Sequence, residues 1–299
     1  MDRLQTMSVF VAVAEEAGFA SASRRLNMSP PSVTRAVSEL EARLGARLVH
    51  RTTRSVRLTD AGQRYLADCR RILLEIDDAD RHAAGVHAAP RGMVSISATA
   101  MFGRMILAPI LLDLLDRYPD ISITTLFVNR TVHLVDEGID VAVRMGDLPD
   151  SSLSAIRVGG SRRVLCGSPN YLDTRGRPGA PSELIGHEVI DFVDSTPGGE
   201  WSFVNGGESH AFRPRSRLRL NSADPAIAAA VAGRGITRVL SYMIAPQLMS
   251  RELEIVLQDY EPPAVPIHVL HKEAGQTSAR VRAVVDHLAE SLRKNSALR

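Results

Sequence analysis

Ser29-Pro30-Pro31-Ser32-Val33-Thr34-Arg35-Ala36-Val37-Ser38-Glu39-Leu40-Glu41-Ala42-Arg43-Leu44-Gly45 carries its own start and stop signals. Ser29 can cap a helix whose first positions are Pro30 and Pro31, where proline is tolerated because those positions have no intrahelical partner for an N–H. Val33, Val37, Leu40 and Leu44 recur at helical steps as a buried stripe, and Gly45 closes the segment. On the opposite face stand Pro31, Thr34, Arg35 and Ser38. Reading backwards, Asn27-Met28-Ser29 is a turn, and a short helix runs from Phe19-Ala20-Ser21 through Leu26 with Ser21 as its candidate N-cap. Before it, Leu4, Met7, Val11 and Ala14, with Phe10 beside them, mark one buried face of a helix ended by Gly18. Three helices, the last two joined by a tight turn, form a helix-turn-helix pattern.

Reading forwards, Arg43, Arg47, Arg51, Arg54 and Arg57 follow with no acid between Glu41 and Asp60. Leu48-Val49-His50-Arg51 and Ser55-Val56-Arg57-Leu58 alternate as two short strands around Thr52-Thr53-Arg54, which predicts a β-hairpin wing. The whole chain carries a net charge of only +2, yet its first 58 residues hold nine arginines against five acids. The head is therefore four charges positive and the remainder two negative. Thirty-four of the thirty-six basic residues are arginine, a bias that composition alone explains, but beside a helix-turn-helix the wing arginines fit phosphate or minor-groove contact.

These segments, together with Phe19 to Leu26, Leu40-Glu41-Ala42-Arg43-Leu44-Gly45 and Arg51-Thr52-Thr53-Arg54-Ser55-Val56-Arg57-Leu58-Thr59-Asp60-Ala61-Gly62, resemble the winged helix of the LysR-type transcriptional regulators. The resemblance continues to the C-terminus through Gly138-Ile139-Asp140-Val141-Ala142-Val143-Arg144, Arg162 to Pro169 and Gly235 to Tyr242. It implies contacts to double-stranded operator DNA from Ser29, Pro30, Pro31, Ser32, Thr34, Arg35, Ser38, Arg51 and Arg54. Thr34 and Arg35 would reach base edges, while Ser32, Arg51 and Arg54 fix the backbone register. Pro30 stands where many members place a glutamine, so readout at that base falls more on Thr34, Arg35 and the wing.

From about Thr59 to Val86, Ala61, Tyr65 and Leu66 give apolar positions, and Ile72, Leu73, Ile76, Ala79 and Ala83 continue at helical steps with no proline or glycine among them, which predicts one long helix capped by Thr59. The resemblance implies that it pairs antiparallel with the same helix of a second copy, in a dimer or tetramer. Packing against the chain's own second domain is the alternative. The composition changes around Ala88-Ala89-Pro90-Arg91-Gly92. Beyond it Val94 to Ala98, Ile121 to Phe127 and Asp140 to Arg144 read as strands, with helices from Leu107 to Leu115 and ending near Gly138, which predicts a mostly parallel sheet. A second lobe starts near Arg162, with Val189 to Phe192, Trp201 to Phe203 and Leu218 to Leu220. The chain returns through Ile267 to Leu270 and a final helix from about Ser278 to Lys294. The expected fold is α/β: a winged helix-turn-helix over residues 1–58, a linker helix over 59–89, and a two-lobed effector domain over 90–299 that is similar to periplasmic binding proteins. Lobe I covers about 90–161 and 267–299, and lobe II about 162–266.

Ligands of such folds sit beyond the carboxyl ends of strands, where helix N-termini present free N–H groups. That rule selects Thr99, Ala100, Met101 and Phe102, then Asn129 and Arg130, Arg144 and Gly146, and Phe203, Asn221, Ser222 and Thr237. Arg104, Arg130 and Arg144 near strand ends favour a carboxylate or aromatic acid as the small-molecule effector.

The other function classes lack their signatures. The chain has no GxSxG, GxxxxGK, HExxH or GxGxxG pattern, so neither an enzyme nor a cofactor is expected. A two-lobed binding protein or enzyme with an N-terminal interaction module, and another class of winged-helix regulator, are the alternatives. The residues 60–86 helix discriminates the latter. Cys69 and Cys166 are too far apart in sequence for metal-ligand or CxxC spacing, and Cys166 sits in an apolar strand, so buried thiols are expected. His82, His87 and the acids Asp77, Asp78 and Asp80 read as a solvated face rather than a metal site. An acid at Asp2 and an apolar run stopped by Glu15-Glu16 do not make a signal peptide, and no stretch reaches membrane-spanning length, so a cytoplasmic protein without membrane contact is expected, with RNA polymerase a possible partner.

Overall fold

In the N-terminal region, α1 (Arg3–Glu15) begins at Asp2, whose carboxylate accepts the Gln5 backbone N–H. Helix α2 (Phe19–Arg25) begins at Gly18, so Ser21 lies inside the helix and not at its cap; its hydroxyl accepts from the Arg24 guanidinium. Gly18 thus starts the second helix, while α1 already stops at Glu15. Helix α3 (Pro30–Leu44) starts at Ser29, whose Oγ accepts the Ser32 N–H, and ends at Gly45 in the left-handed region. Strands β1 (Val49–Arg51) and β2 (Val56–Leu58) pair antiparallel as the wing. The Glu41 carboxylate ties α3 to this wing by accepting the Leu48 and Val49 N–H groups.

The computed structural model describes residues 2–51, 56–83, 89–134, 136–148, 153–192, 199–272 and 278–298. Helix α4 (Asp60–Ala83) follows Thr59, whose Oγ1 accepts the Gly62 N–H. Tyr65, Leu66, Ile72 and Leu73 of α4 pack, with buried Cys69, on the core formed by Met7, Phe10, Val37 and Leu40. This part of the apolar stripe is covered by the chain's own helix-turn-helix. It therefore requires neither a partner helix nor the second domain, the two coverings that its sequence brings to mind. Residues 84–86 lie outside the described residues.

The chain divides into two compact units, Met1–Ala89 and Pro90–Arg299. In the second unit, β3 (Gly92–Ala98) leads into a continuous helical stretch, α5 (Ala100–Phe102), a π-turn (Gly103–Leu107) and α6 (Ala108–Arg117). The helix therefore starts some seven residues before the expected Leu107. Pro109, which cannot donate, falls in the first turn of α6, where the π-turn already interrupts the ordinary ladder. Strands β4 (Ile121–Phe127), β5 (Val141–Met145) and β6 (Leu153–Ser161) complete this pass through lobe I. The helix expected before Gly138 is absent among the described residues. Turns take its place, because the Glu137 carboxylate closes back on Arg130 and on the His133 N–H.

Lobe II contains β7 (Arg163–Gly167), α7 (Pro169–Arg175), β8 (Val189–Phe192), the hairpin β9 (Trp201–Asn205) and β10 (Glu208–Phe212), β11 (Leu218–Leu220), α8 (Ala223–Val231), β12 (Ile236–Leu240), α9 (Ala245–Met249) and β13 (Glu254–Val256). The chain returns to lobe I through β14 (Val265–Lys272) and α10 (Ala279–Lys294). The sheet orders are β4-β3-β5-β14-β6 and β11-β8-β12-β7-β13. In each, the first three strands are parallel and the last two antiparallel to their neighbours. The sheets are thus mixed where the alternation of strands and helices predicts mostly parallel ones. One strand in each sheet runs against the other four, β14 in lobe I and β7 in lobe II, and these are the strands by which the chain enters each lobe from the other. At one crossover Ser161 and Ser241 hydroxyls meet at 3.1 Å.

Candidate functional site

Two surfaces concentrate chemistry that the fold does not consume. The first is the N-terminal half of α3. Ser29, Pro30, Pro31 and Arg35 are exposed, while Ser32, Thr34 and Ser38 are half-buried. The Arg35 side chain is 80% exposed and reaches Glu39 only at 3.8 Å, an i,i+4 contact in open solvent that holds it weakly. Thr34 Oγ1 donates to the Pro30 carbonyl at 3.0 Å and Ser38 Oγ to the Thr34 carbonyl at 2.9 Å. The Thr34 hydroxyl therefore keeps lone pairs available as an acceptor. Arg43, one of the five arginines of the basic run, instead donates to Thr6 Oγ1 and braces α3 on α1. Arg57 is exposed on β2. Arg54 lies outside the described residues, as does the side chain of Arg51. The sequence reading missed Glu41 as the brace between α3 and the wing. Its signal was the last acid before the arginine run.

The second surface is a cleft of about 1030 Å³ between the lobes of the effector unit, ample for a small organic molecule. Thr99, Ala100, Met101, Asn129, Arg130, Arg144, Gly146, Asn221 and Ser222 all line it. Phe102, Phe203 and Thr237 do not belong to its wall. Phe102 is fully buried with its ring edge-on to Tyr242, and Phe203 lies in the lobe II core. Thr237 is fully buried within β12, its hydroxyl donating to the Ile190 carbonyl. Strand alternation turns Phe203 and Thr237 into packed faces, and Phe102, on α5, turns into the core, although all three sit close in sequence to residues of the cleft.

The arginines differ in what holds them. Arg130 grips both oxygens of Glu137 at 2.7 and 2.6 Å, which raises its own pKa and lowers that of the carboxyl. Arg104 pairs with Asp224, and only the latter lines the cleft. Arg144 donates instead to neutral acceptors, Ser97 Oγ at 3.0 Å and the Val143 carbonyl at 3.1 Å. Burial draws its pKa below the ordinary guanidinium value, while the Glu137 charge opposes that shift. Its hydrogen bonds in the cleft thus reach neutral acceptors and no carboxylate.

The structure adds cleft residues that the strand-end rule did not select: Asp191, Trp201, Arg238 and Met243 among them. The Arg238 guanidinium lies 4.9 Å over the Trp201 ring. A lone tryptophan in a chain with 4% aromatic residues was the available signal.

Neither cysteine belongs to a reactive site. Both are fully buried, and burial pushes Cys69 up to about 11 and Cys166 up to about 12. Both thiols therefore stay protonated at neutral pH, the unreactive form. We expect iodoacetamide to leave both unmodified in the folded protein and to label both after denaturation, read by intact mass; rapid native labelling would contradict their burial. Among the described residues no group of three or more His, Cys, Asp or Glu side chains is placed to hold a metal, and no helix is long and apolar enough to cross a membrane.

A helix-turn-helix with an exposed basic reading face, joined to a two-lobed unit with a ligand-sized cleft, defines a ligand-responsive DNA-binding regulator. Residues 4–63 match the family described as bacterial regulatory helix-turn-helix protein, lysR family, and residues 87–293 match the LysR substrate binding domain. The chain belongs to the LysR family of transcriptional regulators. It is 32% identical over 291 residues to the HTH-type transcriptional activator AaeR of Escherichia coli K12, covering 97% of this chain and 94% of that one. Among solved structures it resembles CrgA of Neisseria meningitidis, at 28% identity, a TM-score of 0.63 and coverage of 97% and 99%. The full-length Vibrio cholerae virulence activator AphB is also similar, at 26% identity, a TM-score of 0.62 and the same coverage.

Proposed function

We propose that the protein reads its operator through the N-terminal half of α3 and the wing, and that a small carboxylate or aromatic acid bound between the lobes alters that regulation. Arg35 and Thr34 address base edges in the major groove. A bidentate arginine suits a guanine edge, and the Thr34 lone pairs suit an amino group. Ser29, Pro30, Pro31, Ser32 and Ser38 form the surface that meets the duplex, and Arg51 and Arg54 secure phosphates. The protein works without a catalytic step, in the cytoplasm, as a dimer or tetramer on double-stranded DNA, with RNA polymerase as a further partner. Effector binding shifts the balance between lobe arrangements and with it the bending of the DNA.

The observation that carries the DNA reading is the exposed Arg35 guanidinium, held only by its 3.8 Å contact to Glu39, beside the Ser29-capped start of α3. Arg35→Ala tests it. Sequencing the DNA retained from a random pool by parent and variant should show one base preference relaxed, with affinity for the parent's preferred site falling about 10- to 100-fold. An unchanged preferred sequence would refute the assignment.

A further inference from the structure

Lobe II carries a second cavity, at the opposite end of β8 from the cleft. This groove of about 830 Å³ shares no lining residue with the cleft: Val189, at the start of β8, lines it, while Asp191 and Phe192, at the end of the strand, line the cleft. One side of the groove is the segment that joins β10 to β11. Arg213, Arg215, Arg217 and Arg219 are exposed there, whereas Pro214 is buried and Ser216 half-buried. Alternation of this kind marks extended chain, which turns every second side chain the same way. The Ser216 hydroxyl pins the segment to the sheet, donating to the Val189 carbonyl at 2.6 Å and accepting the Leu218 N–H at 3.1 Å. Arg219 has Asp191 at 3.5 Å. Among the described residues the other three arginines make no ion pair, and no Asp or Glu lines the groove. His187 adds a donor. Tyr171 Oη accepts the Glu188 N–H at 2.8 Å and meets His187 Nδ1 at 3.3 Å, so the hydroxyl donates to Nδ1 and the neutral ring keeps its hydrogen on Nε2. The rest of the wall is apolar, with Leu184, Phe212 and an Ile185 side chain that is 81% exposed.

We propose that this groove is a second ligand site, separate from the cleft, for an organic polyanion of the nucleoside polyphosphate class. Its phosphates lie along Arg213, Arg215 and Arg217, and its flat body covers Ile185 and Phe212. Three features set the class. The side chains that the groove offers to a polar ligand are donors, four guanidinium groups and an imidazole N–H, which selects an anion. Alternate stems on an extended chain stand about 6.6 Å apart, so a row of phosphates engages several guanidinium forks where a single carboxylate engages one. A single exposed guanidinium contributes little through solvent, so affinity here depends on how many charges are engaged together. The exposed Ile185 then requires an apolar or planar body, which a bare phosphate chain lacks, and the cavity has the size of other small-molecule sites.

Titration calorimetry on the full-length protein with adenosine, AMP, ADP, ATP and inorganic tripolyphosphate tests the proposal, without magnesium and at about 0.15 M salt to suppress loose charge attraction. Affinity should climb by about tenfold or more from AMP to ATP, as further phosphates reach further arginines, and adenosine should not bind. Tripolyphosphate should bind at least about threefold more weakly than ATP, since it leaves the apolar wall uncovered. Replacing two exposed arginines together, Arg213→Gln with Arg217→Gln, should weaken ATP by about tenfold or more, and Ile185→Asp, also at an exposed position, should do the same. Circular dichroism confirms that these variants fold. The N-terminal head is basic as well, so Arg47→Gln with Arg57→Gln, both exposed there, is the control and should change ATP affinity by less than about twofold. A titration in which none of the phosphates binds, in which affinity does not rise with phosphate number, or in which tripolyphosphate matches ATP overturns the inference. So does ATP binding that survives the Arg213 and Arg217 substitutions or the Ile185→Asp substitution, or that disappears with those in the head.

Discussion

Gly62→Ala is expected to destabilise the N-terminal unit by about 3 kcal/mol or more and to abolish operator binding. A Cβ at Gly62 would lie 2.0 Å from the Leu48 carbonyl oxygen and 2.9 Å from its carbon, so the obstacle is backbone and cannot rotate away. The same carbonyl accepts the Thr59 N–H, and Gly62 donates to Thr59 Oγ1, so the start of α4 is stitched to the wing where the methyl would intrude. Alanine ordinarily gains up to about 1 kcal/mol over glycine in a helix, but that gain is smaller than the cost of pushing α4 off β1. Relief would require moving α4 and with it Tyr65, Leu66 and Cys69 out of the helix-turn-helix core. For a unit of this size the melting transition should fall by more than about 12 °C. Gly45→Ala is the matched control. There a Cβ meets nothing within 4 Å, and only the left-handed φ of 64° opposes it, at a cost of about 1–2 kcal/mol. Scanning calorimetry that ranked Gly45→Ala as the more damaging change, or left Gly62→Ala melting like the parent, would overturn this account.

What could be read ahead of the structure follows from how local the deciding physics is. The ends of α3 were legible because Ser29, the two prolines and Gly45 act within a few residues of themselves. The start of α2 was not, since Ser21 has capping chemistry but Gly18 has the extended backbone and the position. Gly62 stood in a recognisable motif, yet its reason is the Leu48 carbonyl across the wing, a contact between separate elements that no periodicity reveals. The strand-end rule found Thr99, Asn129, Arg144 and Asn221 because their exposure to the cleft depends on topology alone. It took in Phe102, Phe203 and Thr237 as well, because proximity in sequence does not say which way a side chain turns. The three arginines that pointed to an anionic effector looked equivalent in sequence. Glu137 and Asp224 claim two of them through contacts made by folding, which leaves Arg144.

Gly235→Ala should have a comparable effect on the other unit. A Cβ there would lie 2.3 Å from the Glu188 carbonyl oxygen and 2.8 Å from its carbon, again backbone atoms. That carbonyl accepts the Ile236 N–H at 2.9 Å, where β12 begins its parallel pairing with β8. The residue's φ of +144° adds a strain that L side chains avoid. Overpacking at about 1–3 kcal/mol and the backbone term at about 1–2 kcal/mol together give a loss near 4 kcal/mol. In a unit of about two hundred residues this lowers the melting transition by roughly 8–16 °C. The damage falls on the centre of the lobe II sheet, because β12 lies between β8 and β7, and β8 carries Asp191 into the cleft wall. Effector binding should therefore be lost at temperatures where operator binding persists. Calorimetry of the two variants tells the units apart: Gly62→Ala should move the transition of the N-terminal unit and Gly235→Ala that of the effector unit. If Gly235→Ala left effector binding and both transitions as in the parent, the tight approach of β12 to Glu188 would not be what holds lobe II together.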